Sequence, residues 1–284
     1  MAAMNRQDDK TPVSGMLARL RRGFSASETG SASSAPSDGD TQPRAETGWA
    51  DRHSAAFIER YLQPGDSVLD VGANDGRFAL AAAALIGLEG RVDAIEPSPT
   101  MRRRLAEAVR RTHGAPVLIH DRMAGDRTHL ARFVDGTGKS GRRRPPLPGE
   151  LGGGVIGVES VRLDGYLGNH RYSLMRLDVA GMEPVVLAGA EAMLQDCNPP
   201  VMLLALDSAL ADFGSSPEAL AGYLAERGYE CILYDADRHR LEYLAEPWLR
   251  RRLVLAVAER ARNQVSQRLA GTDRPQQAAA VGNG

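Results

Sequence analysis

Seven short apolar runs, set apart by stretches with helical spacing, place the tightest limit on how this chain folds. They are SVLDVG from Ser67, RVDAIEP from Arg91, APVLIHD from Ala115, YSLMRLDV from Tyr172, PPVMLLALD from Pro199, YECILYD from Tyr229 and RRLVLAVAE from Arg251. Short runs of this kind, interleaved with helices, are strands buried on both faces of a sheet. Ser98-Pro99 starts a helix after the second run, with Met101, Leu105, Ala108 and Val109 on its apolar face and Arg102 to Arg104 turned towards water. Ser216-Pro217-Glu218 starts another, with Leu220, Tyr223 and Leu224 inward and Gly228 at its exit. The expected fold class is α/β, a doubly wound and mostly parallel sheet.

The runs fall within residues 49–262, which we expect to form one domain. Residues 1–48, rich in Ser, Gly, Pro, Asp and Thr, lack the apolar content to offset ordering entropy and are expected to be a disordered tail. Within them GMLARLRRGF places Met16, Leu17, Leu20 and Phe24 as a short basic amphipathic helix that frays on the tail. Residues 263–284 read as a second loose tail, and DGTGKSGRRRPPLPGELGGG, residues 135–154, as a mobile surface insertion. Arg142 to Arg144 then belong to a solvated loop. Lysine plus arginine number 35 and aspartate plus glutamate 36, so no global charge draws the chain to nucleic acid or to an anionic membrane. No apolar run reaches the roughly 18 to 20 residues of a membrane helix, and the N-terminus has no secretory core. A cytoplasmic protein without stable membrane insertion is expected. Cys197 and Cys231 match no zinc or disulfide spacing and fit buried reduced thiols.

The early strands finish on acids: Asp70, Glu96, Asp121, Asp178 and Asp207. In an open parallel sheet these ends line the ligand crevice. For Asp121 and Asp207 we expect helix capping or plain solvation. Glu96 lies 20 residues beyond Gly76, about the distance at which an acid ending the second strand meets a ribose hydroxyl pair. Gly72 and Gly76 permit a sharp turn and close ligand approach. Asn74 replaces the middle glycine of the dinucleotide fingerprint, and Asp70 and Asp75 put negative charge where a diphosphate wants none. A phosphate-free, cationic adenosine compound suits the turn better. S-adenosylmethionine is one: its ammonium would pair with Asp70, and its carboxylate would use backbone N–H groups of the turn.

DVGANDG (Asp70 to Gly76), AIEPSP (Ala94 to Pro99), VRLDGYL (Val161 to Leu167) and LMRLDVAGMEPVVLAGAEAML (Leu174 to Leu194) together resemble the FkbM family of S-adenosylmethionine-dependent methyltransferases, over about Val68 to Leu206. The resemblance implies a seven-stranded sheet of the class I methyltransferase, Rossmann-like type with the last strand antiparallel. It implies a cofactor site of Asp70, Gly72, Ala73, Asn74, Gly76, Glu96 and Asp178, with Met123 and Ala124 on the adenine side. Two departures stand out. Ala180 occupies the place of a usual acid, and Ala205 that of a frequent glutamate, so the acceptor side loses polar groups.

The reaction implied is methyl transfer to a hydroxyl of a small molecule or glycan. Asp178 is the best placed base or orienting group and Glu183 the next; a capping acid and a structural hydrogen bond are the competing readings. His120 would be a base or a partly buried neutral imidazole, while His170 and His239 read as surface residues. No spacing points to a metal. Two other functions stay open: a cofactor-binding relative with little or no activity, and an NAD-dependent oxidoreductase. The acceptor and the oligomeric state are not legible in the sequence.

Overall fold

The computed structural model describes residues 51–136, 143–147, 154–206 and 208–271. The N-terminal tail, its amphipathic stretch and Asp207 lie outside these residues. Helix α1 (Arg52–Tyr61) opens on Asp51, whose carboxylate accepts from the His53 and Ser54 N–H groups, and buries Phe57, Ile58 and Tyr61. Strand β1 (Ser67–Val71), helix α2 (Arg77–Ile86), β2 (Arg91–Ile95), α3 (Pro99–Val109) and β3 (Val117–His120) follow as two parallel strand–helix–strand units. Ser98 caps α3 by accepting from the Met101 N–H at 3.1 Å, with proline at the first helical position, as the sequence predicts. Of the three arginines expected to face water, Arg103 and Arg104 do. Arg102 instead turns back to donate to the Glu96 and Pro97 carbonyls, which the cap leaves without partners.

Between β3 and the next strand of the main sheet the chain builds a second, small sheet. Its strands are β4 (Met123–Ala124), β5 (His129–Asp135), β6 (Arg143–Arg144) and β7 (Val155–Val161), in the order β4-β7-β5-β6. Residues 135–154 are therefore not wholly irregular. Asp135 ends β5, and Arg143 and Arg144 pair with Asp135 and Val134. Arg144 is buried, not solvated, and donates to the Pro145 carbonyl at 2.8 Å.

The main chain of elements resumes with α4 (Leu163–Tyr166), β8 (Leu174–Leu177), α5 (Glu183–Ala188), α6 (Glu191–Gln195), β9 (Val201–Ala205), α7 (Ala209–Asp212) and α8 (Pro217–Ala225). It closes with β10 (Tyr229–Asp235), β11 (Arg240–Glu242), β12 (Leu253–Ala258) and α9 (Arg262–Ala270). The sheet order is β11-β10-β12-β9-β8-β1-β2-β3. The pairs from β3 to β9 are parallel, and β12 runs antiparallel between β9 and β10. All seven predicted runs are strands of this sheet, and β11 adds an eighth at its edge by a hairpin with β10. This is the arrangement that the resemblance implies, with one edge strand added.

Residues 263–271 are not loose. Val265 and Leu269, four residues apart, are buried on one face of α9, and Arg268 forms an ion pair with Asp66 at 2.6 Å. That spacing is one helical turn, too sparse a stripe to stand out in a polar segment. Cys197 and Cys231 are unpaired and half-buried. No helix among the described residues is long and apolar enough to cross a membrane.

Candidate active site

The strand order reverses its direction of growth at β1, so the carboxyl ends of β1, β2 and β8 open a crevice beneath the small sheet. It is a cleft of about 620 Å³. Its floor is the turn after β1. Gly72 has φ +84°, and a methyl group there would lie 2.2 Å from the Asp178 carbonyl oxygen. Only glycine lets the β1 and β8 ends approach this closely. Asn74, with φ +54°, takes the second left-handed position, a conformation asparagine tolerates better than most residues. Gly76 caps α2 and packs on Leu105, where a methyl group would come within 2.1 Å. It supports the turn from behind and does not line the cleft.

Glu96 is the carboxylate at the end of β2, 4 % exposed. One of its oxygens accepts from the Asn74 N–H at 2.7 Å and the other from the Ser98 N–H at 2.8 Å. Burial pushes its carboxyl up to about 7, against the pull of these two N–H groups. It faces the cleft together with Gly72, Ala73 and Asn74. Met123 and Ala124 of β4 line the same cavity, where the adenine side was expected.

Asp70 behaves differently from its sequence reading. Its carboxylate is fully buried and receives the Arg176 guanidinium at 3.1 Å, so its charge is met inside the sheet and not by a ligand ammonium. Four of the turn's five N–H groups, where the sequence reading placed a ligand carboxylate, have partners within the protein. Those of Gly72 and Ala73 reach the Ile95 carbonyl, that of Asn74 reaches Glu96 and that of Gly76 reaches the Ala73 carbonyl. Arg176, overlooked in the sequence, is the hub: it also donates to the Gly72 carbonyl at 3.2 Å and to Asp178 at 2.6 Å. An arginine amid an apolar strand signals a buried charge, and such a charge requires partners.

Asp178 lines the cleft beside the turn, where one oxygen takes the Arg176 guanidinium and the other takes Arg252 at 2.7 Å. Its carboxylate is thus held by two guanidinium groups. Glu183 is 1 % exposed and lies off the cleft. It accepts from the Val179 N–H at 2.9 Å and so fixes the turn after β8, the structural role that competed with catalysis. Ala180 lines the cleft in a left-handed conformation, φ +54°, whereas Ala205 is buried in β9 opposite Leu253. His120 is engaged away from the cleft: one ring nitrogen meets Asp93 at 2.7 Å and the other the Tyr166 hydroxyl at 3.1 Å. His170 and His239 are exposed, as expected. No group of three or more metal-ligating side chains occurs among the described residues.

A model of the Methyltransferase FkbM domain matches residues 70–231, more than half of the chain. The chain belongs to the FkbM methyltransferase family. Solved structures of similar shape include methyltransferase FkbM from Methylobacillus flagellatus, with 15% identity and a TM-score of 0.43 over 69% of this chain. The match spans only 44% of that protein. Aeropyrum pernix fibrillarin, solved with natively bound S-adenosyl-L-methionine, has 18% identity and a TM-score of 0.39, covering 72% of this chain and 73% of its own. An rRNA methylase from Streptococcus thermophilus has 12% identity and a TM-score of 0.41, covering 72% and 93%. Comparison with curated proteins finds no match. The FkbM domain covers β1 to the start of β10, and thus every lining residue described above except Arg252.

Proposed function

We propose that this protein is an S-adenosylmethionine-dependent methyltransferase acting on a hydroxyl oxygen of a small molecule or glycan. Glu96 carries the reading. A buried carboxylate, aimed into a cleft at the end of the second strand and fixed by two backbone N–H groups, is built to accept from a ribose hydroxyl pair. The absence of a side chain at Gly72 lets the end of β8 close against the turn, which brings Asp178 to the same cleft as Glu96. When bound, S-adenosylmethionine supplies an electrophilic methyl group with a neutral thioether as leaving group. The protein's share is alignment, since in-line displacement depends on the placement of the acceptor oxygen. Asp178, locked by Arg176 and Arg252, orients that oxygen, and the hydroxyl proton leaves to water.

The same double bracing favours one other reading, a cofactor-binding relative with little turnover, because Asp178 has both oxygens engaged and Ala180 brings no acid to the cleft. Calorimetric titration with S-adenosylmethionine, S-adenosylhomocysteine and NAD is the primary test. Binding of the first two and not of NAD is expected; the reverse would overturn the proposal. Methyl transfer to candidate acceptors, compared between wild type and Asp178→Ala, then separates the two readings. The proposed role for Asp178 requires a folded variant that still binds S-adenosylhomocysteine but turns over far more slowly.

A further inference from the structure

Six arginines line the cleft, Arg77, Arg104, Arg143, Arg144, Arg176 and Arg252, against three carboxylates, Asp75, Glu96 and Asp178. Counting Asp70 behind Arg176 still leaves two positive charges in excess, in a chain whose formal net charge is -1. Four of the six have partners on the page. Arg77 meets Asp75 at 3.1 Å, Arg176 bridges Asp70 and Asp178, Arg252 holds Asp178, and Arg144 donates to the Pro145 carbonyl.

Arg104 on α3 and Arg143 on β6 have no hydrogen bond or ion pair to any described residue, although the Arg143 charge acts on Glu96 without bonding to it. The Arg143 Nε–H is also shut off from solvent without an acceptor. Buried donors are normally satisfied, and the Nε–H groups of Arg144 and Arg176 in the same lining are orphans too, so this side of the cleft is short of acceptors. A guanidinium offers five donors in a fixed fork that fits two oxygens of a carboxylate or phosphate. Arg143 and Arg144 are also adjacent along β6 and share the cleft, so their like charges favour an anion near them. The cofactor does not supply it. Its sulfonium and ammonium outweigh its one carboxylate, so it adds positive charge to a cleft already in excess.

Resting on the methyl-transfer reading above, we propose that the acceptor carries an anionic group, a carboxylate or a phosphate, gripped between Arg104 and Arg143. Position 143 thereby selects among hydroxyl compounds by a charge remote from the reacting oxygen. The small sheet is the carrier of this selectivity: Asp135 accepts from the Ser98 hydroxyl and from the Thr100 hydroxyl, holding β5, and with it β6, against the start of α3.

The test uses the full chain saturated with S-adenosylhomocysteine, titrated calorimetrically with inorganic phosphate and, separately, with acetate. The two probes distinguish a phosphate from a carboxylate preference. Wild type binds one of them. Arg104→Gln and Arg143→Gln each weaken that binding, and the double variant weakens it by about tenfold or more, the scale of losing charge-assisted hydrogen bonds. Arg103→Gln, on the exposed face of α3 and outside the cleft, binds the probe as wild type does. Circular dichroism establishes that each variant is folded. No binding of either anion, equal binding by the double variant, or displacement of the anion by S-adenosylhomocysteine would each overturn the inference; the last would assign the two arginines to the cofactor's own carboxylate. Failure of the methyl-transfer reading looks different: the protein would then ignore S-adenosylhomocysteine while still binding the anion through Arg104 and Arg143.

Discussion

Glu96 sits where burial and function pull against each other, and its protonation is the most informative quantity to perturb. Its carboxyl is raised from 4.5 to about 7 in the folded protein because burial disfavours the charge. A folded pKa above the unfolded one means that the native state keeps a proton the unfolded chain has lost. Stability from this group is therefore complete below about pH 4.5 and is lost as pH rises towards 7. At 1.36 kcal/mol per pH unit the loss amounts to about 3 kcal/mol. Other acids, such as Glu191, which is lowered despite its burial by Arg227 and Tyr223, contribute with the opposite sign. The clean quantity is the difference between wild type and Glu96→Gln, measured by urea unfolding across that pH window. Gln cannot titrate, and its amide turns a donor towards either the Asn74 or the Ser98 N–H, so the variant starts out less stable by roughly 1–3 kcal/mol. Its disadvantage should shrink by about 3 kcal/mol between pH 4.5 and 7. Affinity for S-adenosylhomocysteine should run the other way in wild type, rising through pH 7, because ribose hydroxyls donate best to the ionised carboxylate. A stability difference that stays flat with pH would refute the account of Glu96.

Four further outcomes are expected. Gly72→Ala costs roughly 1–3 kcal/mol from the left-handed backbone alone and more from the contact with the Asp178 carbonyl; an unchanged melting temperature would contradict this. Arg176→Met strands the buried Asp70 charge and costs about 3–5 kcal/mol, and adding Asp70→Asn should recover much of it in a double-mutant cycle on denaturant midpoints. Leu269→Ala costs about 2–5 kcal/mol by denaturant titration, whereas a loose C-terminal segment would show no change. Asp178→Ala should lower kcat for methyl transfer while leaving S-adenosylhomocysteine titration close to wild type; equal losses in both would make Asp178 a cofactor ligand only.

The sheet was legible because each of its long strands is apolar on both faces, and the turn at Gly72 because two glycines and an asparagine have little use elsewhere at that spacing. The small sheet was harder to read. β4 and β6 are two residues each, too short for any period, and the alternation in HLARFVD, where Ala131, Phe133 and Asp135 are buried, runs straight into the aperiodic insertion. The acids at the strand ends are legible by position, but their neighbours are not. Strand position says that Asp70 and Asp178 lie near the crevice; it does not say that Arg176, directly opposite Asp70 on the neighbouring strand and two residues before Asp178, takes up their charges first. Cross-strand pairing at Asp70 and Arg176 is a property of register, which periodicity leaves undetermined.

The turn after β8 separates shape from chemistry. Glu183 ties it down at Val179, and Gly181, at φ +99°, nestles against the Ala209 carbonyl where a methyl group would come within 2.2 Å. Residue 180 sits between these two anchors, in a left-handed conformation, and lines the cleft. On the methyl-transfer reading, Ala180 therefore marks a seat where acceptor preference can change with the anchors on either side left in place.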